Sequence, residues 1–289
     1  MRPAGVVESA RGLDSCSHVG WGYADRAELR TRLGEYLTDG IAAGQQIEFV
    51  GSGRVEALRA ELSAVAGRDS VLDRGMNADR DGVRVALVDD VYAFSGPGRV
   101  VDPVRSVAAR VAATAGALAA GFTGLRAVVD ATALARTGLQ RTAYTHYEYL
   151  LDQQSNLLPL ATVCAYDIET LGDAAVAELT CLHPFVNRGA STFRLYSDDG
   201  AAFALAGDID FSSVVQLAHT VRRVLPLISM PRPVVNGREL EFIDHRGLLV
   251  LDRCAAERGV QLTLQTRSET VAQIAEAVGL HHLHVDVLP

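Results

Sequence analysis

Two Cys-x-His pairs, Cys16/His18 and Cys181/His183, are the first residues in this 289-residue sequence that could do chemistry. Thiolate and imidazole both bind transition metals. Structural zinc sites, however, use C-x2–4-C with a second matched pair, and neither pair here has that spacing. No metal site is expected from them: buried thiols and hydrogen-bonded histidines are the simpler reading. The four cysteines, Cys16, Cys164, Cys181 and Cys254, are scattered, and disulfides are not expected in a reducing compartment. A second candidate is the turn Gly51-Ser52-Gly53, set between a short apolar strand, 47–50, and an amphipathic helix, 54–67. Strand, glycine turn and helix make the skeleton of a phosphate-binding loop. A working P-loop also needs a lysine, and all 27 basic residues are arginine. The same absence excludes Schiff-base chemistry through a lysine.

These residues must be positioned by the chain around them. Its length suits two domains better than one. The net charge of −8 argues against nucleic acid as a partner. The N-terminal stretch lacks the apolar run of a signal peptide, and no run reaches the ~20 apolar residues of a membrane span. A cytoplasmic protein with no membrane contact is expected.

The hydrophobic spacing predicts helices over 25–46, 54–67, 102–120, 142–158 and 173–184. Strands are expected between them, at 47–53, 124–134 and 160–171, with a compact apolar stretch at 83–92. This alternation predicts an α/β fold with a mostly parallel sheet covered on both faces. Such sheets bind ligands at the carboxyl ends of their strands. That edge would carry Gly51, Ser52, Gly53, Asp130, Tyr166 and Asp167. Asp130 reads as a helix cap, and Tyr144, Tyr147 and Tyr149 as core and surface contacts rather than a ligand cage.

The segments 18-HVGWGYADRAEL-29, TAYTHYEYLLD, TVCAYD and 183-HP-184 together resemble the MEDS domain, the methanogen/methylotroph dichloromethane-regulator sensory domain. The resemblance covers most of residues 15–190. It implies a RecA/KaiC-like fold without a functional P-loop and a small-molecule ligand, with nucleotide as the other candidate. It adds His18 to the candidate ligand residues. Members of that family commonly carry a cysteine two residues after the opening histidine, where this chain has Gly20.

Residues 191–289 read as a β-hairpin followed by α-β-α-β-α, in which Asp244 caps a helix opening at Arg246–Gly247. The segments 207-GDID-210, 235-VNGRELEFIDHRGLLVL-251, 260-VQLTL-264 and 278-VGL-280 resemble the STAS domain of anti-sigma-factor antagonists. In that family a hydroxyl follows the turn aspartate and is phosphorylated by a partner kinase. Here the turn is Asp244-His245-Arg246-Gly247, so serine switching is not expected. The resemblance implies a docking surface at Asp208, Asp244, His245, Arg246 and Gly247 for an anti-sigma factor or kinase-fold regulator. His281, His282 and His284 read as a solvated tail.

The expected organisation is a disordered stretch 1–14, a sensory domain 15–190 and a STAS-like domain 191–289. The expected function is signalling without catalysis, in a monomer or homodimer, with no required cofactor. Two rivals remain at this point: a nucleotide-handling enzyme on the first domain, and a scaffold in a larger assembly.

Overall fold

The computed structural model describes residues 3–66, 82–96 and 98–289. In chain order the first half contains β1 (Gly5–Val7), β2 (His18–Tyr23), α1 (Arg26–Ala42), β3 (Gln46–Gly51) and α2 (Val55–Ala66). It continues through β4 (Val83–Leu87), the single turn α3 (Val88–Val91), the short pair β5 (Phe94–Ser95) and β6 (Val100–Val101), and α4 (Pro103–Ala119). Then come β7 (Leu125–Asp130), α5 (Gly138–Ser155), β8 (Leu160–Asp167), α6 (Ile168–Leu171), α7 (Asp173–Thr180) and β9 (Phe185–Asn187).

Local chemistry sets the helix boundaries. Asp25 accepts from the backbone N–H groups of Ala27 and Glu28 and starts α1, which buries Leu29, Leu33, Tyr36 and Leu37 at helical spacing. Asp102 caps α4, with Pro103 in the first turn. Thr137 and Gln140 form a reciprocal capping box at the start of α5.

The seven strands of the main sheet run in the order β1-β9-β2-β8-β7-β3-β4. Every pairing between them is parallel. Strands β2 and β3 are buried throughout, as central strands of a sheet covered on both faces are, and the polar side chains they carry, His18, Gln46 and Glu48, are buried with them. The core lies in two layers, one on each face. Leu29, Leu33, Phe49 and Val163 lie on one side, and Val129, Tyr144, Leu151 and Cys164 on the other.

The N-terminal stretch departs from expectation. Residues 5–7 form β1, an edge strand parallel to β9. The reason lies elsewhere in the sequence. Buried Arg126 donates to the carbonyls of Leu13 and Asp14. Glu35 accepts from the backbone N–H of Ala10, and Asp39 from that of Gly12. Four polar contacts that no local pattern announces tie this segment down.

The second half contains β10 (Phe193–Tyr196), β11 (Phe203–Ile209), α8 (Val214–Val224), β12 (Val234–Ile243), α9 (His245–Arg258), β13 (Leu262–Thr266), α10 (Glu269–Val278) and β14 (Leu283–Val287). These strands form a separate sheet in the order β10-β11-β12-β13-β14. The β10–β11 hairpin is antiparallel and the other pairs are parallel. Of the residues read as a solvated tail, His284 lies in this sheet and His281 and His282 directly precede its last strand. β14 pairs with β13, and Asp252 holds its start by accepting from the N–H groups of His281, His282 and Leu283.

The two sheets share packing. Tyr149, Cys181 and Leu182, from α5 and the end of α7, belong to the apolar core of the second sheet. Tyr149 donates its hydroxyl to the carbonyl of Ala202, and Gln216 on α8 donates to the carbonyl of Ala177. No described helix is long and apolar enough to cross a membrane.

Candidate functional site

His18 opens β2, Cys164 sits in mid-β8, His183 precedes β9 and Glu148 lies on the sheet-facing side of α5. His18, Glu148 and His183 have no exposed side-chain surface, and Cys164 is buried as completely. One ligand-capable atom from each of the four lies within 4.8 Å of the others. Parallel pairing sets the level of the strand residues: His18 pairs with Thr162, and Gly20 with Cys164. Gly20 leaves room for the ring of His183, since a Cβ there would lie 2.7 Å from His183 Nδ1. The thiol at this level therefore comes from the neighbouring strand.

The hydrogen bonds fix the orientation of each group. His18 Nδ1 donates to Asp152 Oδ1 at 2.9 Å, and its Nε2 faces Glu148 Oε2 at 3.0 Å. Cys164 Sγ donates to the same Glu148 oxygen at 3.5 Å. The other Glu148 oxygen accepts from the Tyr166 hydroxyl at 2.7 Å. His183 Nδ1 donates to the Thr180 carbonyl at 3.2 Å. Its Nε2 points inward, 3.6 Å from Glu148 Oε2, and has no hydrogen-bond partner.

Burial opposes charge on all of these groups, and the neighbours decide the outcome. At His18 burial lowers the pKa, but the hydrogen bonds to Asp152 and Glu148 outweigh it and raise the value above the ordinary 6.5. At His183 burial, reinforced by the charge of His18, lowers it. Burial penalises the Glu148 carboxylate too, yet the field of His183 together with the hydrogen bond and field of His18 holds it well below the usual carboxylate range. The Cys164 thiol is pushed well up by burial and by Glu148 beside it. The protein thus holds an ionised carboxylate, a protonated thiol and two histidines of opposite tendency in one fully buried cluster. Imidazole, thiolate and carboxylate are all ligands for transition metals, so the four residues could hold such an ion.

The family model of the MEDS domain, the MEthanogen/methylotroph, DcmR Sensory domain, matches residues 17–184, more than half of the chain. This chain belongs to the MEDS family. The match starts one residue before His18 and ends one residue after His183, so all four cluster residues lie within the MEDS domain. A sensory domain makes the chain's role a regulatory or signalling one. No curated protein matches the chain.

The sequence-based candidates separate within this MEDS domain. Strands β3, β7 and β8 do end together on the carboxyl edge of the sheet, carrying Gly51, Asp130 and Asp167. That edge is not where the buried cluster lies. Asp130 ion-pairs with Arg26 and accepts from the Tyr23 hydroxyl, which anchors β7 to the start of α1, and it also accepts from the backbone N–H of Thr132 at the start of a short 3-10 turn. Asp167 caps the short α6 through the backbone N–H of Thr170. A Cβ on Gly51 would press on Leu58, which makes this glycine a packing requirement of α2. Ser52 and Gly53 line a surface cavity of about 220 Å³ with Arg99 and Leu134. Only His18 and Tyr166 belong to the buried cluster.

The Cys-x-His pairs prove misleading in an informative way. Each supplies its histidine to the cluster and keeps its cysteine elsewhere. Cys16 Sγ donates to the Leu158 carbonyl, and Cys181 contacts Thr220 in the second core. Sequence reasoning missed Glu148 and Asp152. Their signal was present: two acids four residues apart on the same side of α5 as Tyr144 and Leu151, where an uncompensated charge would be costly.

Proposed function

We propose that the chain is a cytoplasmic, non-enzymatic regulatory protein. Its MEDS domain responds to a small ligand, and its second domain, STAS-like in kind, docks onto an anti-sigma factor or kinase-fold regulator. The observation that carries the reading is a hydrogen-bonded path between the two sheets. His18 bonds to Asp152, whose other oxygen accepts from both the backbone N–H and the hydroxyl of Ser197, at 2.8 and 2.7 Å. Ser197 directly follows β10, the first strand of the second sheet. A change in the buried cluster that moves Asp152 moves that strand end. Ligand binding can then shift the population of arrangements of the second sheet.

The proposed docking edge lies where β11 and β12 end. Asp244 caps α9 by accepting from the N–H groups of Arg246 and Gly247. His245, Arg246 and Asp208 are exposed there, as are the apolar side chains of Phe211, Phe242 and Leu249. Exposed apolar groups rimmed by charge suit a protein partner. Gly247 serves packing instead: a Cβ there would come within 2.7 Å of Ile243. The order of a hairpin followed by α/β repeats supports the STAS-like reading, and His245 in place of a hydroxyl removes the phosphorylation switch from it.

Affinity capture from a lysate of the source organism, with the full chain as bait, tests the reading. Enrichment of an anti-sigma or kinase-fold protein by the wild type, reduced by Phe242→Ser, supports docking at this edge. Altered capture by Asp152→Asn supports the coupling. Identical captures by all three chains, with no regulator among them, would defeat it.

A further inference from the structure

We propose that His18, Glu148, Cys164 and His183 form a closed, four-coordinate site for one divalent transition metal of the Zn²⁺ class. The proposal concerns the interior of the MEDS domain and does not depend on what the second sheet docks.

The geometry comes first. Tetrahedral coordination by nitrogen, sulfur and oxygen at ordinary zinc bond lengths puts ligand atoms about 3.3–3.8 Å apart. Glu148 Oε2 lies 3.0 Å from His18 Nε2, 3.5 Å from Cys164 Sγ and 3.6 Å from His183 Nε2. Cys164 Sγ lies 3.8 Å from His18 Nε2. Four of the six donor pairs are therefore already close to coordination spacing, and all four atoms lie within 4.8 Å of one another.

The protonation pattern points the same way. A backbone carbonyl can only accept, so His183 donates from Nδ1 to Thr180, and in the neutral ring this leaves a lone pair on its inward Nε2. That nitrogen is buried and unpartnered, and it faces a carboxylate oxygen that also cannot donate. A buried acceptor turned toward an acceptor is costly, and a cation between the two removes the cost.

The outer contacts complete the pattern. Metal-binding histidines hand their other ring N–H to a carboxylate or a backbone carbonyl. His18 does so to Asp152 and His183 to Thr180. The oxygen of Glu148 that does not face the centre is held by Tyr166. Each of these three ligands is thus oriented from behind with its free atom turned inward. The charges also balance: one thiolate and one carboxylate neutralise a divalent ion, so a filled site carries no net charge into the interior. Two imidazoles and a thiolate select transition metals over Mg²⁺ or Ca²⁺.

The test uses the full chain, dialysed against Zn²⁺ or Co²⁺ and then against metal-free buffer. Metal is counted by elemental mass spectrometry, and the Co²⁺ absorption spectrum is recorded. One retained ion per chain is expected, with intense tetrahedral d–d bands and a thiolate-to-cobalt charge-transfer band. Cys164→Ser abolishes the charge-transfer band, and Asp152→Asn weakens affinity about 10–100-fold. A folded wild-type chain that retains neither ion overturns the proposal. So does a spectrum that is octahedral or unchanged in Cys164→Ser, which would put the ion on other groups such as His281 and His282. If Cys164→Ser does not fold, the wild-type cobalt spectrum decides alone. Loss of regulator capture with the cobalt spectrum intact counts against the docking reading only.

Discussion

The two sheets bury different chemistry. Under the first lie His18, Glu148, Asp152 and His183, together with a buried Arg110–Glu48 ion pair and the enclosed Arg126. Around the second, Arg194 is the one buried charged residue among the described residues, and the core is Phe193, Leu195, Phe203, Leu205, Leu217, Leu251 and their neighbours. Apolar burial stabilises at roughly 25 cal/mol per Å², whereas a buried charge costs several kcal/mol unless it is paired or bound to metal. The first interior accepts a cost that the second avoids. The site proposed above lies in that first, costlier interior. The second sheet instead exposes Phe211, Phe242 and Leu249 at the edge proposed for docking.

The largest break in this comparison comes from Glu148→Ala. It leaves His18 and His183 without their shared carboxylate and is expected to cost about 3–5 kcal/mol in chemical denaturation. Leu205→Ala, in the fully buried second core, is expected to cost about 2–5 kcal/mol. The contrast lies in the response to added Zn²⁺: the Leu205→Ala protein is still stabilised by the ion, and the Glu148→Ala protein is not.

Asp152→Asn keeps the shape of the link but weakens a charge-assisted set of hydrogen bonds, at about 1–3 kcal/mol. Amide hydrogen exchange at Ser197 is expected to speed up in this variant, because the N–H loses its carboxylate acceptor. Unchanged protection there would break the proposed path between the sheets.

A smaller effect is pH-dependent. Asp252 has its pKa lowered: modest burial raises it, and the N–H groups of His282, Leu283 and His281 more than reverse this. A depressed folded pKa gives stability that is present above the ordinary carboxylate range and is lost as pH falls through the folded value. Asp252→Asn is expected to remove about 1 kcal/mol at neutral pH and to narrow its gap to wild type in acid. Denaturation midpoints across pH 2–7 would show this.

The smallest stability effect belongs to Phe242→Ser, on a side chain that is 51% exposed. A change within about 0.5 kcal/mol is expected. Loss of partner capture without loss of stability would sharpen the contrast between the interior proposed to sense and the edge proposed to dock.

Local pattern carried much of the fold. Helical spacing placed α1, α4 and α9, and unbroken apolar runs flanked by helices announced a parallel sheet. Asp244 was legible as a helix cap because capping involves residues only two and three positions away. Order in residues 5–14 and the strand β14 were not legible, since each depends on a distant side chain, Arg126 and Asp252 respectively. Of the candidate site, His18, His183 and Tyr166 drew notice in the sequence, and Glu148 and Asp152 did not.

By itself, the sequence determined the residue types available: no lysine for phosphate or Schiff-base chemistry, two histidines that bracket the family match, and two acids spaced along one helix face. Tertiary structure alone decided which of them meet. His18 and Glu148 are 130 residues apart, and Cys164 reaches His18 from 146 residues away. Strand order and register set such distances: β2 must lie beside β8 with Gly20 opposite Cys164 before the thiol and His183 can share one space. Short-range spacing suggested the pairs Cys16/His18 and Cys181/His183. Packing took one histidine from each and joined them to a different cysteine, because burial and parallel register, rather than proximity along the chain, fix which side chains face each other.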